Sequence, residues 1–202
     1  TMATVLAAPL STEAQPTAGV PRIGYLSIGS ASDPRRVALF AALQEGLRDV
    51  GYVVGKSVFI EARFSEGTYE RLADLAAELL RLKVDIIVAY ATPAAQAAQS
   101  ATTTIPIVMT NVVDPVATGL VANLARPGLN ITGLSLMAPE VIGKQMQLIK
   151  ELIPKLSRVA VLWNPANASN VPQFREAERA AQTLGLHLHS LEARGPALDL
   201  AR

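Results

Sequence analysis

Four dipeptides carry most of the polar chemistry of this chain. Asp33-Pro34, Thr92-Pro93, Asp114-Pro115 and Asn164-Pro165 each stand beyond a short apolar run. Ser27, Ser30 and Asn111 lie beside the first and third of them, and Asn167, Ser169 and Asn170 follow the last. A small polar residue before proline suits the cap and first position of a helix. A helix N-terminus presents unpaired N–H groups and a partial positive charge, which favours a carboxylate or phosphate. Asp114 adds the opposite sign, placed to receive an ammonium group. The two signs together suit a zwitterion. Taken singly, each dipeptide is an ordinary cap, and Asp33, further from its strand end, reads as a plain one.

Other chemistry is thinly represented. Gly24 and Gly29 do not form a dinucleotide fingerprint, and no glycine-rich phosphate loop with lysine is present. No serine is set in a nucleophile elbow. The absence of cysteine excludes disulfides, thiolate zinc sites and a cysteine nucleophile. His187 and His189 would share a strand face, but no third ligand is spaced to join them in a metal site. Trp163 closes an apolar strand, where packing is the expected role. The reading is of a binding protein, not an enzyme, with no cofactor and no metal.

The elements that position these residues alternate. β-rich runs read as strands at Arg22–Ile28, 57–64 (SVFIEARF), 84–90, 105–110 and 130–137, then at 158–164 and 186–192. Between them the 3–4 spacing of apolar residues predicts helices over Pro34–Val50, Tyr69–Leu82, Pro93–Ala101, Val116–Ala125, Glu140–Ile153 and Val171–Leu184, with a last one beginning at Pro196. Expected inner stripes are Phe40, Leu43, Leu47 and Val50 in the first helix and Leu72, Leu75, Ala76 and Leu79 in the second. Alternation of strand and helix implies right-handed crossovers and a parallel sheet covered on both faces. Five such units make a flavodoxin-like or Rossmann-like lobe, a three-layer αβα α/β fold, and two more open a second α/β lobe. On this map the polar residues Ser27, Ser30, Thr92, Asn111, Asp114, Asn164 and Asn170 all fall at carboxyl ends of strands, where open parallel sheets bind ligands.

The totals fit this picture. A chain of 202 residues, half of them apolar, suffices for one large domain or two small ones. The net charge of +1 has no basic block, and aromatics make up 4%, so neither nucleic acid nor a charged membrane surface is an expected partner. The opening segment, TMATVLAAPLSTEAQPTAGVP, is small and apolar and then rich in polar residues and proline, as in the remnant of an export signal. The expected organisation is a signal remnant or disordered tail over 1–21, an N-terminal lobe over 22–137, and an incomplete second lobe over 138–202.

Several long stretches carry a resemblance. RIGYLSIGS, FAALQEGLRDVGYVVGKSVFIEARFSEG, ERLADLAAELLRLKVDIIVA, ATTTIPIVMTNVVDPVATGLVANLARPGLNITGLS and LIKELIPKLSRVAVLWNPAN closely resemble the bacterial ABC-transporter substrate-binding proteins, the TrpX-type group with tryptophan- and tyrosine-binding members. The resemblance runs from about Arg22 to the end. It implies a periplasmic binding protein of type I topology, in which two α/β lobes close on a small, amino-acid-like ligand for delivery to membrane permease subunits. Carried over by position, it places Ser27, Ser30, Thr92, Asn111 and Asp114 on the first lobe, Asn164 and Asn170 on the second, and a crossover at Gly133–Met137. A ligand-sensing regulatory module of the same topology is the alternative. The expected location is periplasmic, without a lipid-anchor cysteine. A second lobe of two strands would leave apolar faces open, so the chain is expected to dimerise or exchange strands there, or to leave that segment mobile.

Overall fold

The computed structural model describes residues 19–136 and 138–193. The expected signal remnant, the last residue of the crossover and the helix start at Pro196 lie wholly or mostly outside these residues.

Two parallel sheets organise the chain. The first contains β1 (Arg22–Ser27), β2 (Phe59–Phe64), β3 (Ile86–Tyr90), β4 (Ile107–Val113) and β5 (Ile131–Leu136), in the order β2-β1-β3-β4-β5. Every neighbouring pair is parallel, with Ile23 of β1 opposite Ile60 on one side and Ile86 on the other. The chain leaves β1 toward β2 and returns across it to β3. The order therefore reverses between β1 and β3, which makes a crevice at their carboxyl ends. The second sheet pairs β6 (Arg158–Trp163) with β7 (His187–Glu192), also in parallel.

Helices cover the first sheet on both faces. α2 (Leu72–Arg81) follows a single 3-10 turn at Tyr69–Arg71, and α3 (Thr92–Ala101) follows β3. The expected stripe of α2 is the buried one: Leu72, Leu75, Ala76 and Leu79. It packs with Leu26, Ile87, Ala89, Ile107, Met109 and Ile131 into the main core. Gly24 lies beneath it, and a Cβ there would meet Leu79 Cδ1 at 3.1 Å and Val84 Cγ2 at 3.2 Å. On the opposite face, α1 (Pro34–Asp49) sets Phe40 against Tyr25 and Phe64, with ring centroids 5.1 and 6.4 Å apart. The expected inner stripe of α1 is only partly covered. None of its residues is fully buried, and Val50 is 70% exposed.

One expected element is absent. Val116–Ala125 forms turns, not a helix. The Pro115 carbonyl accepts from both Leu120 N (2.9 Å) and Val121 N (3.1 Å), and Gly119 takes φ +75°, so the winding stops after one turn. Leu120 and Val121 then enter the core, while Gln96 and Gln99 of α3 donate to the carbonyls of Thr118 and Leu120. Burial and side-chain hydrogen bonds replace the helical ladder.

In the second unit α4 (Ala138–Leu152) and α5 (Asn170–Thr183) pack together over β6 and β7 around Met146, Ala180, Ala181 and Leu186. Among the described residues the outer edge of β6 pairs with no strand. A groove of about 370 Å³ runs along it, floored by Val159–Trp163 and walled by both helices.

Candidate functional site

The carboxyl ends of the first sheet are held in unusual backbone conformations. Glu66, Ala91, Asn111 and Asp114 have φ of 53°, 74°, 55° and 39°, and each lies near the carboxyl end of β2, β3 or β4. L-residues reach this region at a cost that the surrounding structure must offset, and such positions gather at ligand sites. At Asn111 the cause is a bulge: the β4–β5 register shifts between Met109 and Val112. The extra residue turns the Asn111 side chain to donate to the Tyr90 hydroxyl at 2.9 Å.

The polar residues expected at this edge are all present there, with different degrees of access. Ser27 is fully buried, and its Oγ lies 3.4 Å from Gly29 N. Ser30 pairs with Ser32 through Oγ at 2.9 Å. The Ser30 hydroxyl and the Ala31 N–H, at 3.2 Å, hold the Glu66 carboxyl below the usual glutamate range. Asp33 is a cap, accepting from Arg35 N at 2.9 Å. Thr92 is not: Ala91 occupies the cap position, and Thr92 is buried in the first turn of α3. Its Oγ1 accepts from Val113 N at 3.1 Å and so ties α3 to β4.

Asp114 keeps free capacity. One carboxylate oxygen accepts from Ala117 N at 2.9 Å, and the other has no partner among the described residues. It lines a cavity of about 320 Å³ with Gln96 and Thr118, whose far wall is Val171, Arg175, Glu176 and Arg179 of α5. Arg179 is paired with Glu176 at 3.1 Å, while Arg175 has no carboxylate partner among the described residues. Both charge signs therefore border a cavity between the two units.

On the second unit the asparagines are engaged locally. Asn164 Oδ1 accepts from Ala166 N at 2.9 Å, and Asn170 Nδ2 donates to the Asn164 carbonyl at 3.3 Å. Asn167 Oδ1 accepts from Ser169 N at 3.0 Å, and the Asn167 side chain also meets the Tyr69 hydroxyl of the first unit. Burial raises the Tyr69 pKa, and that contact partly offsets it. Asn170 borders the β6 groove, away from Asp114. Trp163 packs, stacking on Phe174 at 4.2 Å and donating to Ser190 Oγ at 2.8 Å. His187 and His189 are exposed on one face of β7, and no cluster of three metal-ligating side chains occurs among the described residues.

Three residues at this edge escaped the sequence reading: Tyr25, Arg36 and Tyr90. Tyr25 and Tyr90 sit in strands that read as apolar core. Arg36 had a visible signal, a cation in the first turn of a helix, where an acid is the favoured choice.

Residues 29–197 match the family described as ABC transporter substrate binding protein. The chain belongs to this family. Among curated relatives, the tyrosine-binding protein of Clostridioides difficile is 36% identical over 126 residues, which is 62% of this chain and 36% of that protein. A conserved domain protein from Vibrio cholerae superposes with a TM-score of 0.79 at 33% identity, over 87% of this chain and 58% of that one. An ABC domain from Streptococcus pneumoniae in complex with L-Trp gives 0.76 at 31%, with the same coverage. The chain thus spans less than two thirds of the length of each relative. The architecture of this substrate-binding family member is the type I periplasmic binding protein fold, as its sheet order and structural neighbours show.

Proposed function

We propose that this chain captures an amino-acid-like ligand between its two α/β units, as the solute-binding protein of an ABC importer, and hands it to a membrane permease. The observation that carries the reading is Asp114. A half-buried carboxylate with one oxygen free, on the wall of a cavity between the units, is suited to receive the ammonium of a zwitterion. Family membership supplies the binding role, and a relative named for tyrosine binding and another solved in complex with L-Trp support the ligand class. Export to the periplasm and the absence of catalysis belong to the same reading. No helix among the described residues is long and apolar enough to cross a membrane.

Calorimetry with a panel of free amino acids tests it. Binding of at least one is expected, and Asp114→Asn weakens that ligand by about 1.5–3 kcal/mol, the scale of a charge-assisted hydrogen bond. Ligands lacking the amine are expected to be indifferent to the substitution. A chain that binds no amino acid overturns the reading. Loss of uptake of the same ligand on deleting the gene would tie binding to transport.

A further inference from the structure

The crevice between β1 and β3 contains a set of hydrogen-bond donors with nothing to accept from them. Arg36 lies there with its guanidinium carbon 4.3 Å from the centre of the Tyr90 ring. Among the described residues the carboxylate paired with it, Asp33 Oδ2, is 3.8 Å away, beyond hydrogen-bonding distance, and its buried Nε has no acceptor. Tyr25, 3% exposed, has a hydroxyl with no partner of hydrogen-bonding geometry; Ser27, Arg36 and Tyr90 surround it. Burial pushes this phenol up in pKa, so it is a donor at neutral pH. The Tyr90 hydroxyl already accepts from Asn111, which leaves its own proton to give. Unsatisfied donors in a buried setting are costly, and a guanidinium more so than a hydroxyl.

Two further features show that the seat is built. Arg36 stands in the first turn of a 16-residue helix with no acidic residue in that turn, so its charge opposes the helix polarity. Gly29 makes the space: a Cβ there would lie 2.5 Å from Arg36 Nε and 2.8 Å from its Cγ. The side chain thus fills space over Tyr90 that a methyl group at position 29 would take. What this arrangement lacks is an acceptor with two oxygens, and the planar fork of a guanidinium matches a carboxylate.

We propose that Arg36, seated on Tyr90 and flanked by the Tyr25 hydroxyl, receives the carboxylate of the bound ligand at the β1–β3 crevice. The assignment rests on the amino-acid reading above. It makes Arg36 the residue that separates amino acids from the corresponding amines.

The test is calorimetry with L-tyrosine and with tyramine, which lacks only the carboxylate. In wild type L-tyrosine is expected to bind more tightly than tyramine. Arg36→Gln should weaken L-tyrosine by roughly 10- to 100-fold, the scale of charge-assisted hydrogen bonds lost, and leave tyramine within about twofold of its wild-type affinity. Arg36→Lys should restore part of the loss. Gly29→Ala, which displaces the guanidinium without removing it, should reproduce the selective effect and guards against failure of the glutamine variant to fold. Unchanged L-tyrosine affinity in Arg36→Gln overturns the assignment, as does an equal loss for both ligands, which would mark a role in packing alone. Wild type binding neither L-tyrosine nor any other amino acid would sink the amino-acid reading itself, a result distinct from normal wild-type binding with an indifferent variant.

Discussion

Thr92 shows how a residue can sit at the right edge of a sheet and still face inward. Its type and its place after β3 are those of a ligand-binding threonine, yet its hydroxyl accepts the Val113 N–H inside the core. Replacing it by valine keeps the shape and deletes the acceptor. The buried N–H then goes unsatisfied, so Thr92→Val should destabilise the protein by about 1–3 kcal/mol, measured as a shift in urea midpoint at constant slope. A neutral result would mean that the β4–α3 tie is not as drawn. The contrast with Asp114 is instructive: both precede proline, and both were legible as polar residues at strand ends. Which one keeps a free oxygen depends on how the following chain winds, and that is decided by the burial of Leu120 and Val121. Arg36 presents the reverse case. Its charge is plain in the sequence, but its contact with Tyr90 joins a helix to a strand that is not its neighbour in the chain.

At the level of elements, hydrophobic period was informative wherever burial is one-sided. The stripe of α2 emerged residue for residue because one face meets the sheet and the other meets solvent. It misled at Val116–Ala125, where apolar residues at helical spacing reach the core from successive turns. It also overstated the cover on α1, since spacing reports which residues share a face, not whether anything packs on it. The β4–β5 pairing carries a sharper requirement. Gly133 has φ +141°, and a Cβ built there would collide with the Met109 backbone carbonyl. Gly133→Ala should therefore break the ladder beside the Asn111 bulge, with a loss above the ~1 kcal/mol typical of a point substitution; a melting temperature equal to wild type would contradict the register. The β1–α1 loop is tied by a different device. Glu66 accepts from Ser30 and Ala31, which depress its pKa. A carboxyl depressed in the folded state contributes stability above its unfolded pKa and loses it as pH falls through the folded value. Amide exchange at Ala31 should thus accelerate, beyond its intrinsic pH dependence, only below the ordinary glutamate range, about pH 4.3, and Glu66→Gln should abolish that acid step.

Across the whole molecule, the two units differ in how well they enclose their apolar surface. The first sheet has helices on both faces, whereas the second has, among the described residues, an unpaired strand edge and exposed Leu152 (82%), Leu162 (48%) and Leu191 (51%). An open edge beside apolar side chains invites pairing with another chain. The 202-residue polypeptide should show a mass by light scattering that rises with concentration, with slow amide exchange along Arg158–Trp163 appearing only in the associated form. A monomer at all concentrations with that strand already protected would contradict this. The parallel α/β lobe was legible in the alternation of elements, and type I topology in the long stretches that resemble the family; the pairing of the two units was not, because contacts such as Tyr69 with Asn167 join residues nearly a hundred positions apart. The stacked pair Trp163–Phe174 has a practical consequence. It holds the chain's single tryptophan, whereas all four tyrosines, Tyr25, Tyr52, Tyr69 and Tyr90, belong to the other unit. Nature has therefore placed the energy donors on one side of the cleft and the acceptor on the other, so that tyrosine-sensitised tryptophan emission reads the separation of the two units without a label, and a non-fluorescent ligand that draws them together announces itself as light.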